Sequence, residues 1–243
     1  MIETRQLTTI AEYEEAVNLQ REIWGFADVE LLPRRLFVVA NKVGGQTFGA
    51  FDGERMVAFL VAIPGLKSDG SIYLHSHMLG TLAGYRDRGL GRKLKLMQRE
   101  EALSRGIRLI EWTFDPLELK NAFFNIDRLG AVVRRFVPNQ YGTTSSHLHG
   151  GLPTDRCVAE WYIDSPRVRA ILNHTPPPPP PVEARISIPS NIDTLRQMDA
   201  QQARAVQDMV RERFLEYLRR GLEASGFERT GETGDYLFST REG

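Results

Sequence analysis

The residues best suited to chemistry lie together in one stretch. His75 and His77 stand two apart in Ser71–Leu82, where Ile72, Tyr73, Leu74, Met78 and Leu79 give the apolar, alternating pattern of a strand. Both imidazoles therefore point to one face, and a side chain with a pKa near 6.5 accepts protons at neutral pH. Nine residues after His77 begins Arg86-Asp87-Arg88-Gly89-Leu90-Gly91, a basic turn with two glycines. Leu90, Leu94, Met97, Ala102 and Leu103 then recur at helical spacing. The order is strand, glycine turn, helix.

That order makes an anion site. The first amides of a helix lack intrahelical partners, and the helix dipole makes that end positive. Gly89 and Gly91 carry no Cβ and let an anion approach the backbone. Arg86, Arg88, Arg92 and Lys93 add positive charge, which suits a pyrophosphate better than a base or a sugar. Neither the dinucleotide fingerprint G-x-G-x-x-G nor the ATP loop G-x-x-x-x-G-K-[ST] is present.

What is present, Arg86-x-x-Gly89-x-Gly91 after an apolar strand and Tyr85, resembles the acetyl-CoA loop of the GCN5-related N-acetyltransferase (GNAT) superfamily. The likeness runs from about Ile72 to Ala131, through a strand at RLIEWTF (108–114) and a helix at LKNAFFNIDRLGA (119–131). The wording WTFDPLELKNAFFN…LGA also resembles a little-characterised bacterial branch of predicted acetyltransferases, a likeness that covers most of the chain. Ile126 departs from the pattern: it stands where a Tyr commonly protonates the departing thiolate.

The resemblance implies an α/β fold, a twisted mixed sheet with helices on both faces, splayed after the central strand to admit acetyl-CoA. It implies direct transfer of an acyl group to the amine of a small molecule or peptide, without a covalent enzyme intermediate. Implied cofactor contacts are Leu79, Gly80 and Thr81, the turn Arg86, Asp87, Arg88, Gly89, Leu90, Gly91 and Arg92, and Asn121 with Phe124 against the pantetheine arm. Amides near Leu79–Thr81 would polarise the oxyanion. The order His-x-His…Arg-x-x-Gly-x-Gly is similar to that of the arylalkylamine N-acetyltransferases, which implies a base role for His77 and His75. Glu111 on the next strand is the other base candidate, and Tyr141 the candidate to replace the Tyr absent at Ile126. A different reading is a CoA-binding regulatory or scaffold protein that kept the loop and lost catalysis.

The remaining sequence positions these residues. Thr9 or Ala11 opens a helix whose face is Tyr13, Ala16, Val17, Gln20, Ile23 and Trp24, with Gly25 as its stop. Trp24, Phe26 and Asp28 line an acceptor pocket or pack in the core. A second helix begins at Pro33, and Thr47–Phe51 with Met56–Ile63 form a hairpin around Asp52-Gly53-Glu54. Strands are expected at Ala131–Val137 and Cys157–Ile163. Asp155-Arg156 reads as a charged surface pair or a substrate contact. Six prolines, Pro176–Pro181, make a polyproline spacer of roughly 19 Å. The expected domains are 1–175, the acetyltransferase-like domain, and 182–243, a C-terminal αβ extension. That extension has a helical region at Leu195–Leu222 and a closing hairpin, and packs on the main domain or on a second subunit in a homodimer.

Composition narrows the function classes. Of 243 residues, 31 are basic and 31 acidic, without the basic excess of a nucleic-acid binder. No apolar run is long enough to span a bilayer, and MIETRQLTTIAEYEE is not a signal peptide, so a cytoplasmic protein is expected. Cys157 is the single cysteine and reads as a buried, structural thiol. His147-x-His149 lacks neighbouring Cys or carboxylate ligands, so no metal site is expected.

Overall fold

The structure, a computed structural model, describes residues 2–142, 152–176 and 178–241. The described chain divides into two compact units, 2–111 and 112–241.

The first unit starts with β1 (Ile2–Gln6) and α1 (Ile10–Trp24). Thr9 caps α1 in a capping box with Glu12. Burial works against the Glu12 charge, but amide donation from Thr8 and Thr9 and the Arg5 guanidinium outweigh it and hold its pKa at about 2. Gly25 ends the helix at φ 66°, a left-handed conformation that suits glycine. Then come α2 (Arg34–Lys42), β2 (Gln46–Asp52), β3 (Arg55–Leu66), β4 (Ile72–Thr81), α3 (Leu90–Ser104) and β5 (Leu109–Phe114), in which the first unit ends. Strands β1, β2, β3 and β4 pair antiparallel in that order, and β4 pairs parallel with β5 through Leu74↔Ile110 and His75↔Glu111. Phe37, Phe48, Met56, Phe59, Leu60 and Leu94 fill the core.

Helices cover both faces of this sheet. A Cβ on Gly80 would come within 2.7 Å of the Trp24 ring on α1, whereas the neighbouring Leu79 side chain reaches Gly91 of α3. Consecutive strand residues point to opposite faces, so α1 and α3 lie on opposite sides of β4.

The second unit holds α4 (Leu119–Phe123), a π-helical turn (Phe124–Arg128), β6 (Val132–Val137), β7 (Arg156–Tyr162) and α5 (Pro166–Leu172). It continues with β8 (Ala184–Pro189), α6 (Ile192–Met198), α7 (Ala200–Arg219), β9 (Leu222–Arg229) and β10 (Thr233–Thr240). Its strand order is β7-β6-β9-β10-β8. Residues 182–241 thus supply the β9, β10 and β8 side of that sheet. Phe214 of α7 packs against Phe136, Tyr236 and Phe238, which joins α7 to β6 and β10.

Three local expectations change. The helix expected over 119–131 stops at Phe123 and widens into the π turn. The helical region 195–222 is two helices, broken at Asp199, whose side chain accepts from the Gln202 amide and caps α7. Asp155 and Arg156 are not a surface pair: Asp155 is 1% exposed, accepts from Arg211 Nε and Nη2 at 2.9 and 3.0 Å, and also accepts the Asn139 amide. Arg156 faces Asp115 at 3.9 Å instead. Helix α7 brings a cation to Asp155 that local sequence does not show.

Candidate active site

Strand β4 carries the irregularity that shapes the site. Ser76 pairs with Ala62 and Met78 with Val61, so His77 is the extra residue of a β-bulge. The bulge changes the parity of the strand. Ser76 and Leu79, three apart, both face α3, which strict alternation would forbid. His75 and His77 keep one face as expected, with ring centroids 5.7 Å apart. His77 remains open to solvent in area, yet the protein crowding its ring desolvates the charged form and lowers its pKa from the ordinary value. Its imidazole is therefore held in the neutral form at neutral pH.

Glu111 stands beside His75 in the β4–β5 register and is 3% exposed. Its carboxylate accepts an ion-paired hydrogen bond from Lys67 Nζ, and Lys67 also lies over the Tyr73 ring at 4.8 Å. A base role for Glu111 must therefore displace Lys67 or pass through it. Sequence patterns missed this lysine because it sits in the turn after β3, far from Glu111 in the chain.

The glycine turn lies between β4 and α3, where the sequence places it. Gly89 takes φ 75° and precedes α3, and no side chain caps that helix end. Arg86, Asp87, Arg88 and Gly89 are exposed, and Asp87 also takes a left-handed φ of 60°. Arg86 Nε reaches the Thr81 carbonyl at 3.4 Å, and Arg88 lies over the Tyr85 ring at 4.9 Å. The Tyr85 hydroxyl donates to Asp52 at 2.8 Å, which raises its pKa. The Lys93 amine donates to the Ile2 carbonyl of β1 at 3.3 Å. Gly91 is helical, and a Cβ there would make only ordinary contact with Leu79, at 3.6 Å. Packing does not require glycine at 91, and glycine in a helix costs about 1 kcal/mol relative to alanine.

The other candidates lie in the second unit. Asn121 is exposed on α4, and Phe124 is half-buried at the start of the π turn. Ile126 is fully buried. Tyr141 is 46% exposed; its hydroxyl is 3.1 Å from the Thr113 hydroxyl, and Arg156 lies over its ring at 5.5 Å. Cys157 is buried, and burial pushes its thiol pKa well up, as expected of a structural cysteine. Trp24 packs on Phe59 and Phe26, and Asp28 pairs with Arg21. His147 and His149 lie outside the described residues, and among those residues no group of His, Cys, Asp and Glu is arranged to hold a metal ion. No helix of the described residues is long and apolar enough to cross a membrane.

No protein-family model matches the sequence, and no curated protein does. Solved structures do match in fold. The ribosomal-protein-S18-alanine N-acetyltransferase from Escherichia coli is 18% identical with a TM-score of 0.53, over 68% of this chain and 96% of that one. Arabidopsis thaliana NAA60 in complex with acetyl-CoA is 14% identical with a TM-score of 0.54, over 67% of this chain and 99% of that one. The acetyltransferase of GNAT family from Streptococcus pneumoniae is 15% identical with a TM-score of 0.52, over 66% and 98%. With the bulged β4, the open glycine turn and the helix behind it, the chain has the fold of the GNAT N-acetyltransferases.

Proposed function

We propose that the chain is an acetyl-CoA-dependent N-acetyltransferase acting on the amine of a small molecule or a peptide. The observation that carries this reading is the conjunction on β4 and α3. A β-bulge presents His77 on a strand whose Leu79 touches Gly91, at the uncapped, positive end of α3. A proton acceptor and an anion site thus share one short stretch of backbone.

In this reading the CoA phosphates bind at the turn Arg86–Arg92, on the free amides of α3 and the Arg86 and Arg88 cations. His77 takes a proton from the acceptor ammonium, directly or through water, and the freed amine attacks the thioester carbonyl. Amides near Leu79–Thr81 stabilise the oxyanion. Attack forms the N–C bond and the tetrahedral oxyanion; its collapse breaks the C–S bond, the nitrogen gives its second proton to the departing sulfur or to water, and CoA leaves as thiol or thiolate. The alternative, a CoA-binding regulator without catalysis, draws support from the buried Ile126, which offers no acid to the leaving group.

Release of CoA thiol over a panel of small and peptide amines separates the two. Turnover that drops by about 10²-fold or more in His77→Ala supports the enzyme. Binding of acetyl-CoA with no turnover on any amine supports the regulator.

A further inference from the structure

Lys95 lies mid-way along α3 and is 2% exposed. Its Nζ donates to Ser76 Oγ at 2.8 Å and to Gln98 Oε1 at 3.1 Å. Gln98 in turn donates to Gln46 Oε1 on β2 at 2.9 Å, and Gln46 donates to the Gln98 carbonyl at 3.1 Å. A lysine in this place is costly, because an amine loses its hydration there, and burial pushes its pKa well below the ordinary value. Leu90 and Leu94 already provide the apolar packing of the helix. Packing alone therefore does not account for an amine at position 95.

We propose that Lys95 is a positioning residue: through Ser76 it holds the bulge that presents His77 and sets that bulge in register with the anion turn. The claim of a catalytic consequence rests on the base role given to His77 above.

The geometry is direct. Ser76 immediately precedes the bulged His77, and its side chain points to the α3 side of β4 while His75 and His77 share the other. Helix α3 is attached to the sheet at three successive levels: Gly91 against Leu79, Lys95 on Ser76, and Gln98 on Gln46. The first two bracket His77 along the strand. A β-bulge leaves its extra residue unpaired and the ladder locally disrupted, so the ladder alone holds it less firmly than a regular strand. The hydrogen bond from Lys95 ties one flank of it to the helix whose first turn forms the anion site. Misplacing a reacting group by about 1 Å costs on the order of 10²-fold in rate, so a fixed separation between the proton acceptor and the phosphate site has a function that simple stability does not require.

The test uses the full chain with Lys95→Met, Ser76→Ala and Ser76→Thr. The first two remove the hydrogen bond from either end, and the third keeps the hydroxyl. Amide hydrogen exchange by NMR reads the bulge without any substrate. Exchange at His77 and Met78 is expected to quicken by about tenfold or more in Lys95→Met and Ser76→Ala, with Phe59 on β3 unchanged, and to return toward wild type in Ser76→Thr. In turnover, kcat falls by about tenfold or more while KM for acetyl-CoA stays within about twofold.

Unchanged exchange at His77 and Met78 in folded Ser76→Ala overturns the proposal, as does a uniform acceleration that includes Phe59. If Lys95→Met does not fold, Ser76→Ala decides. A wild type that neither binds nor turns over acetyl-CoA refutes the proposed function instead, and the exchange result still decides whether Lys95 holds the bulge.

Discussion

Lys67 and Glu111 form an ion pair in which a nearly buried carboxylate, next to His75 in the strand register, is already neutralised by the chain's own amine. This ranks the two base candidates. Lys67 occupies the Glu111 carboxylate, whereas the His77 imidazole is exposed in area and held neutral by desolvation. Glu111→Gln is expected to reduce kcat/KM by about tenfold or less, and His77→Ala by about 10²-fold or more. Steady-state rates of the two variants with one amine check the order, and a reversed order assigns the base role to Glu111.

The pH dependence has a definite sign. Desolvation lowers the His77 pKa, so the free protein keeps a neutral imidazole below the ordinary value of about 6.5. The acid limb of the kcat/KM profile is expected below that value and to be absent in His77→Gln. Stability follows the same linkage. The contribution is intact above the unfolded pKa and is lost as pH falls toward the folded one, because only the unfolded state binds the proton readily. Unfolding in urea at stepped pH should show wild type losing stability faster than His77→Gln over that window.

Gly91→Ala separates stability from ligand approach. The added methyl meets Leu79 at an ordinary 3.6 Å, and alanine favours the helix by about 1 kcal/mol. The variant should melt a few degrees higher than wild type yet gain less from added acetyl-CoA. Gly89→Ala behaves differently, since φ 75° strains any L residue and the apo protein itself loses stability. Paired melting curves with and without ligand distinguish the two glycines.

Arg211→Ala removes the cation from the buried Asp155 carboxylate. Breaking such a pair costs about 3–5 kcal/mol in a dry interior. Partial exposure of the arginine discounts that to about 2 kcal/mol. A urea unfolding curve measures it; a change under about 0.5 kcal/mol would show that the pair contributes little.

Sequence periodicity located most elements because their determinants are local. Thr9 and Glu12 start α1, Gly25 stops it, and the alternation from Ile72 to Leu79 marks β4. The glycine turn was legible for the same reason, since Gly89 and the first turn of α3 are adjacent in the chain. What escaped is long-range or breaks the period. The bulge at His77 arises from its pairing with β3 and leaves no mark in the apolar pattern. Lys67 reaches Glu111, and Arg211 reaches Asp155, only after the chain has folded back. Lys95 left a trace that was available: with Gln98 it interrupts the buried stripe of Leu90, Leu94 and Ala102.

The central claim is that the turn before α3 binds the CoA moiety. Thermal unfolding with and without acetyl-CoA tests it most directly, in wild type and in Arg86→Ala and Gly89→Glu. Ligand at 100 times its dissociation constant adds about 2.7 kcal/mol, a rise in Tm of roughly 5–11 °C for a chain of this size. The expected result is a rise of that order in wild type that is lost in both variants. No shift in wild type at millimolar acetyl-CoA, or an equal shift in all three proteins, would contradict it.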